Sequence, residues 1–95
     1  MMKLKFEWDR AKAEANWKKH GVSFELATTV FRDAFAIEYL DEREDYGEAR
    51  FVLIGMAEGQ VLLCVVHTER DEKIRIISAR RATQYEQEQY LEQTR

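Results

Sequence analysis

Lys73, Arg75, Arg80 and Arg81 fall within nine residues that hold no acid. The chain as a whole leans the other way, with 18 acidic residues against 15 basic and a formal charge of −3. Guanidinium forks bind phosphate oxygens in pairs and stay charged at any working pH, so this cluster suits a phosphate clamp. Arg50, just ahead of the apolar run FVLIG, is placed to join it if the two segments share a sheet. The competing assignment is ordinary ion pairing with the acidic stretch 41–48 or with the C-terminal helix. Spacing alone leaves both open.

His20 and His67 are the two histidines of the chain. Imidazole moves protons near neutral pH, and two of them flanking a phosphate can serve as base and acid in RNA cleavage. His67 ends an apolar run beside Thr68, Glu69 and Arg70. His20 ends a helical run beside Lys18 and Lys19, where a cation is favourable for structural reasons alone. His67 therefore ranks ahead of His20, though a structural role competes for both. Two distant histidines and one cysteine, Cys64, offer no metal set and no internal disulfide. Cys64 in VLLCVV reads as a small buried hydrophobe. Ser78 lacks the Gly-x-Ser-x-Gly elbow of a serine hydrolase. Trp8 and Trp17 have the rings to stack on bases, but helix packing is the favoured assignment for both.

These residues must be positioned by local elements. LKFEWD alternates as a short strand, Asp9 suits an N-cap for RAKAEANWKKH, and Gly21 suits its left-handed stop. Ser23 caps a second helix over FELATTVFRD, whose Leu26, Ala27, Val30 and Phe31 share a face. AFAIEYL, RFVLIGM, VLLCVVHT and KIRIISA read as strands, joined by the acidic loop 41–48, by AEGQ and by ERDE. Thr83 and Glu86 are spaced as a capping box opening a last helix, QYEQEQYLEQ. Strand alternation puts Ile74, Ile76, Ser78 and Arg80 on one face and Arg75, Ile77, Ala79 and Arg81 on the other.

The order β-α-α-β-β-β-β-α predicts an α+β domain spanning 1–95. Its core is an antiparallel sheet of four to five strands, with two N-terminal helices on one face and a C-terminal helix. The loop 41–48 carries five acids and one base, and should lie away from any phosphate-binding face. No apolar run approaches the ~20 residues that span a bilayer. The N-terminus turns charged too early for a signal peptide, which predicts a cytoplasmic protein.

Three stretches resemble the BrnT family of toxins from type II toxin–antitoxin systems: FEWDRAKAEANWKKHGVSFELATTVFRD, GEARFVLIG and VVHTERDEKIRIISARRATQYEQEQY. The resemblance runs from about Phe6 to Tyr90. It implies a RelE-like fold and metal-independent cleavage of mRNA by ribose 2′-hydroxyl attack, with no cofactor. Arg80 and Arg50 would bind the phosphate or its transition state, with His67 as acid or base. Arg70, Lys19, Arg81 and Arg75 would position RNA. The implied partner is a ribbon-helix-helix antitoxin in a heterotetramer, through which alone the toxin would meet DNA, and the RNA would be free or ribosome-associated. The isolated chain would be a monomer or pair through its exposed sheet. The net negative charge departs from the basic character of related toxins. That departure motivates an alternative, a weak or inactive relative that holds its antitoxin.

Overall fold

The computed structural model describes residues 3–93. Strand β1 is only Phe6–Glu7, and helix α1 follows over Arg10–His20. The Asp9 carboxylate accepts the Lys12 N–H at 3.0 Å, and Gly21, at φ 67°, donates its N–H to the Trp17 carbonyl. Helix α2 covers Phe24–Thr28, with the Ser23 hydroxyl accepting from the Leu26 N–H. The predicted longer helix tightens into a 3-10 turn over Thr29–Arg32. There the Thr28 and Thr29 hydroxyls donate to the carbonyls of Glu25 and Leu26, each at 2.7 Å, and such back-bonding distorts a helix.

Strands β2 (Ile37–Leu40), β3 (Phe51–Ala57), β4 (Val61–Arg70) and β5 (Lys73–Arg81) form an antiparallel run, and helix α3 is Gln84–Gln93. Gly59 and Gln60 turn β3 into β4, and Asp71 and Glu72 turn β4 into β5, all at positive φ. The sheet order is β1-β5-β4-β3-β2. The sheet is not wholly antiparallel: β1 pairs parallel to β5, Phe6 opposite Ile74. Among the described residues, no helix is long and apolar enough to cross a membrane.

Each face of the sheet has its own core. On one, Phe24 and Ala27 of α2 and Val30 of the 3-10 turn pack onto Leu53, Leu63, Val65, Ile76 and Ala79. On the opposite face Val52, Ile54, Cys64 and Val66 pack with Ala82 and Tyr90 of the C-terminal segment. Helix α3 therefore covers the face that α1 and α2 leave open. It is anchored by the Tyr90 hydroxyl, which donates to Asp33 Oδ2 at 2.6 Å beside the Met56 N–H at 2.8 Å. Burial alone would raise the Asp33 carboxyl, but the bonds from Tyr90, Met56 and Phe35 outweigh it and hold the group below its ordinary range.

Strict alternation fails in β5. The register shifts between Val66 and His67, so that His67 lies opposite Ile76 and Val66 opposite Ser78, leaving Ile77 as the extra residue. The bulge puts Ile76 and Ala79 in the same core, under α1 and α2. It leaves Ile77 against the other core. Ile76 and Ser78 thus part company, and the predicted division of β5 into two faces is corrected at this point.

Candidate active site

The cleft begins with a row of four side chains across the sheet. Tyr39, Val52, Val66 and Ser78 are successive register partners on β2, β3, β4 and β5. Cys64 and Arg80 form the next pair along. This floor opens to solvent because α3 covers only its far end.

Asn16 fastens α1 to β5 beside the cleft. Strand β1 ends at Glu7, opposite Arg75, so near Ala79 β5 pairs with β4 on one side and has no strand on the other. The buried Asn16 amide substitutes for one: Nδ2 donates to the Ala79 carbonyl at 2.8 Å, and Oδ1 accepts the Ala79 N–H at 3.1 Å. Nδ2 also donates to the Val22 carbonyl at 3.0 Å, just past the helix end. Lys19 and His20 follow three and four residues later, one turn on, and so line the same cleft as Arg80. Its volume is about 560 Å³.

Charge in the cleft is nearly balanced. Arg80 Nη1 and Nη2 grip the two oxygens of Glu86 at 2.8 and 3.0 Å, and Nη1 also donates to the Arg81 carbonyl. The Arg80 fork drives the Glu86 carboxyl down to about 2. Glu86 also accepts the Thr83 N–H while the Thr83 hydroxyl accepts the Glu86 N–H, which completes the predicted capping box. Arg43 holds Asp41 by a second fork, both bonds at 2.8 Å, and these bonds are the main reason Asp41 falls to about 2. Asp41, Glu42 and Arg43 all line the cleft, so the start of the acidic loop borders Arg80 instead of lying elsewhere. Lys19 and His20 carry no ion pair among the described residues. Burial pushes the Tyr39 hydroxyl up, the nearby Cys64 and Glu86 adding to it.

The remaining candidates lie elsewhere. His67 projects from the other face and is 3% exposed, its ring between Phe31 and Phe51. Its Nε2 lies 2.9 Å from Glu38 Oε1, so Nε2–H donates to the carboxylate, and Nδ1 is buried with no partner. Burial lowers the His67 pKa against the opposing pull of Glu38. Arg50 lies over the Tyr46 ring at 4.1 Å and shares Glu48 with Arg70. Arg75 pairs with Glu7 at 2.6 Å. Arg81 is exposed at the end of β5. Four of the candidate arginines thus rest on carboxylates: two on the acidic loop's Glu48, one on the last helix and one on β1.

Tyr39, Arg43 and Asn16 do not stand out in the sequence, and His20 ranks there below His67. The one signal for Asn16 was a poor helix former in mid-helix. Trp8 packs edge-on against Phe24 as expected, but Trp17 is 57% exposed and is not a core residue. Cys64 is buried as predicted, and burial pushes its thiol up to about 11.

Comparison with known proteins places this arrangement. Residues 8–86 match the family model for the ribonuclease toxin BrnT of type II toxin–antitoxin systems. The crystal structure of the Brucella abortus ribonuclease toxin BrnT superposes with a TM-score of 0.58 at 23% identity. That match covers 86% of this chain and 100% of the Brucella chain, and it shows a shared fold. No curated protein matches the chain significantly. With the family model spanning β2 to β5, α1, α2 and the Arg80–Glu86 pair, the chain belongs to the BrnT family of ribonuclease toxins of type II toxin–antitoxin systems.

Proposed function

We propose that the chain cleaves mRNA by metal-independent transesterification in the cleft formed by Arg80, Lys19 and His20. The observation that carries this is the convergence of β5 and the end of α1 on one solvent-open cleft. In the reaction the ribose 2′-oxygen attacks the adjacent phosphorus and the bond to the 5′-oxygen breaks. The products are a 2′,3′-cyclic phosphate and a free 5′-hydroxyl. His20 accepts the 2′-hydroxyl proton, and the Lys19 ammonium protonates the leaving 5′-oxygen.

Arg80 stabilises the charge that builds on the phosphorane. A guanidinium has five N–H donors, and the bonds to Glu86 and the Arg81 carbonyl engage three of them. The remaining two are available to a non-bridging oxygen. Glu86 holds the fork in one orientation, so little reorganisation is needed as charge develops. Arg50, Arg70, Arg75 and Arg81, outside the cleft, guide the RNA, the charge of the first three partly offset by Glu48 and Glu7. His67 we assign to packing, joining β4 to Glu38 of β2. The fold is RelE-like in this account. The partner is a ribbon-helix-helix antitoxin, two toxins bridged by an antitoxin dimer, in the cytoplasm.

The test is induction in bacteria of the wild type beside Arg80→Ala, with RNA ends mapped and the folded state of each purified protein checked by its melting curve. Growth arrest and new RNA ends are expected from the wild type alone, and cleavage by the purified protein should persist in excess chelator. A folded Arg80→Ala chain that still cleaves RNA refutes the assignment.

The pairing of Arg80, Arg50, Arg70 and Arg75 with carboxylates favours a second reading, a chain that holds its antitoxin with little turnover. Antitoxin binding without RNA cleavage by the folded wild type would select it.

A further inference from the structure

Strand β2 is an edge, pairing with β3 on one side and with no strand on the other among the described residues. The Asp41 N–H donates to the Arg50 carbonyl at 2.8 Å, and antiparallel alternation then turns Tyr39 and Ile37 toward β3. The backbone N–H and C=O groups of Glu38 and Leu40 therefore point outward, away from the sheet. Phe35, Tyr39 and Leu40 expose about half of their surface beside them. An open edge lined with apolar side chains is a template for another strand.

Charge decides which strand. Immediately past the edge, Glu42, Glu44 and Asp45 are exposed and carry no ion pair among the described residues. A second copy pairing through β2 would bring two such sets together. A cationic segment would neutralise them. The edge is also continuous with the candidate active site, because Tyr39, Leu40, Asp41 and Glu42 border the Arg80 cleft.

We propose that the outer edge of β2 is the docking site for an extended, cationic segment of the antitoxin. That segment adds a sixth strand and runs on across the mouth of the Arg80 cleft. The family supplies the existence of an antitoxin; the edge, its charge and its neighbour supply where the antitoxin sits. The blocking of the cleft rests on the function proposed above. The docking does not, and its test needs no cleavage.

The experiment is amide hydrogen exchange on the chain alone and in complex with its co-expressed antitoxin. Titrations of the antitoxin against Leu40→Pro, and against the chain with Glu42→Gln, Glu44→Gln and Asp45→Asn together, accompany it. In the free chain the Glu38 and Leu40 amides should exchange fast while Tyr39 and Asp41 are protected. In the complex all four should be protected. Leu40→Pro removes only an outward donor, in an extended edge position that proline tolerates, and should weaken antitoxin binding at least 100-fold. The charge variant should weaken it about 10-fold at low salt and by less at high salt.

Unchanged exchange at Glu38 and Leu40 in a tight complex would overturn the proposal, and so would a folded Leu40→Pro chain binding within twofold of wild type. Protection of these amides in the chain alone, with a dimeric mass, would assign the edge to a second copy and equally overturn it. If Leu40→Pro fails to fold, the wild-type exchange decides. A catalytically dead chain would still report on docking, so failure of this inference and failure of the ribonuclease assignment are distinguishable.

Discussion

Replacing Asn16 by leucine should destabilise the protein severely, because no other group can take up what the amide does. The side chain is 7% exposed and makes three hydrogen bonds, all to backbone: to both polar groups of Ala79 and to the Val22 carbonyl. Leucine has similar volume and no polar atom, so one N–H and two C=O groups lose their partner inside the protein. A net bond is worth roughly 1 kcal/mol, and a buried group left unsatisfied costs about 1–3 kcal/mol. Partial hydration from the open edge of β5 brings the expected total to about 3–5 kcal/mol. For a domain of this size each kcal/mol lowers the melting temperature by about 4–8 °C, so a fall of roughly 15 °C or more is expected. The assay is thermal unfolding of purified chains followed by circular dichroism. Asn16→Asp adds a sign: the carboxylate can accept from the Ala79 N–H but faces two carbonyls it cannot donate to. It should melt at least as low as the leucine variant at pH 7 and recover part of the loss as acid restores an O–H donor. A leucine variant melting within about 3 °C of wild type would refute the bridging role.

Two further predictions follow from other parts of the fold. In Gly55→Ala the new Cβ would come 2.8 Å from the Ala36 Cβ and 2.9 Å from the Val30 Cγ1, and such overpacking should cost about 1–3 kcal/mol, read as a lowered urea midpoint. Acid should loosen α3. Glu86 is lowered from 4.5 to about 2 in the fold, so its contribution is complete above pH 4.5 and fades as pH falls toward 2. With Arg80 about a third exposed, that contribution is about 1–2 kcal/mol. Urea midpoints should fall between pH 5 and pH 2.5 by more in the wild type than in Glu86→Gln, and an equal fall in both would contradict the assignment.

What was legible in the sequence was what is decided locally. Asp9, Ser23, Gly21 and the Thr83–Glu86 box cap helices where their residue types said they would. The strands β3 to β5 form where apolar alternation and polar turns placed them. The family was legible too, in stretches covering most of the chain. The misreadings arose where long-range contacts rule. A two-residue β1 has no local reason to run parallel to β5, and only packing decides that α3 crosses to the other face. Counting residues by twos through β5 failed at Ile77, because a bulge is a property of the paired strand and not of one strand's composition. Which histidine shares a cleft with Arg80 was illegible for a related reason. His67 and Arg80 sit on opposite faces, whereas His20 reaches the Arg80 cleft only because Asn16 seats α1 on β5. The alternative weighed for the arginines, pairing with the acidic loop or the last helix, describes Arg50, Arg70 and Arg80 as they stand in the fold.

The central claim is that RNA binds the face carrying Arg80, Lys19 and His20, and not the face carrying His67. A heteronuclear NMR titration with an oligonucleotide whose 2′-hydroxyls are removed tests it directly, since the ligand can bind but cannot be cleaved. Shifts should concentrate on Lys19, His20, Ser78 and Arg80, leaving the resonances of Phe31, Glu38 and His67 in place. Shifts centred on Glu38 and His67, or none at saturating RNA, would contradict the account.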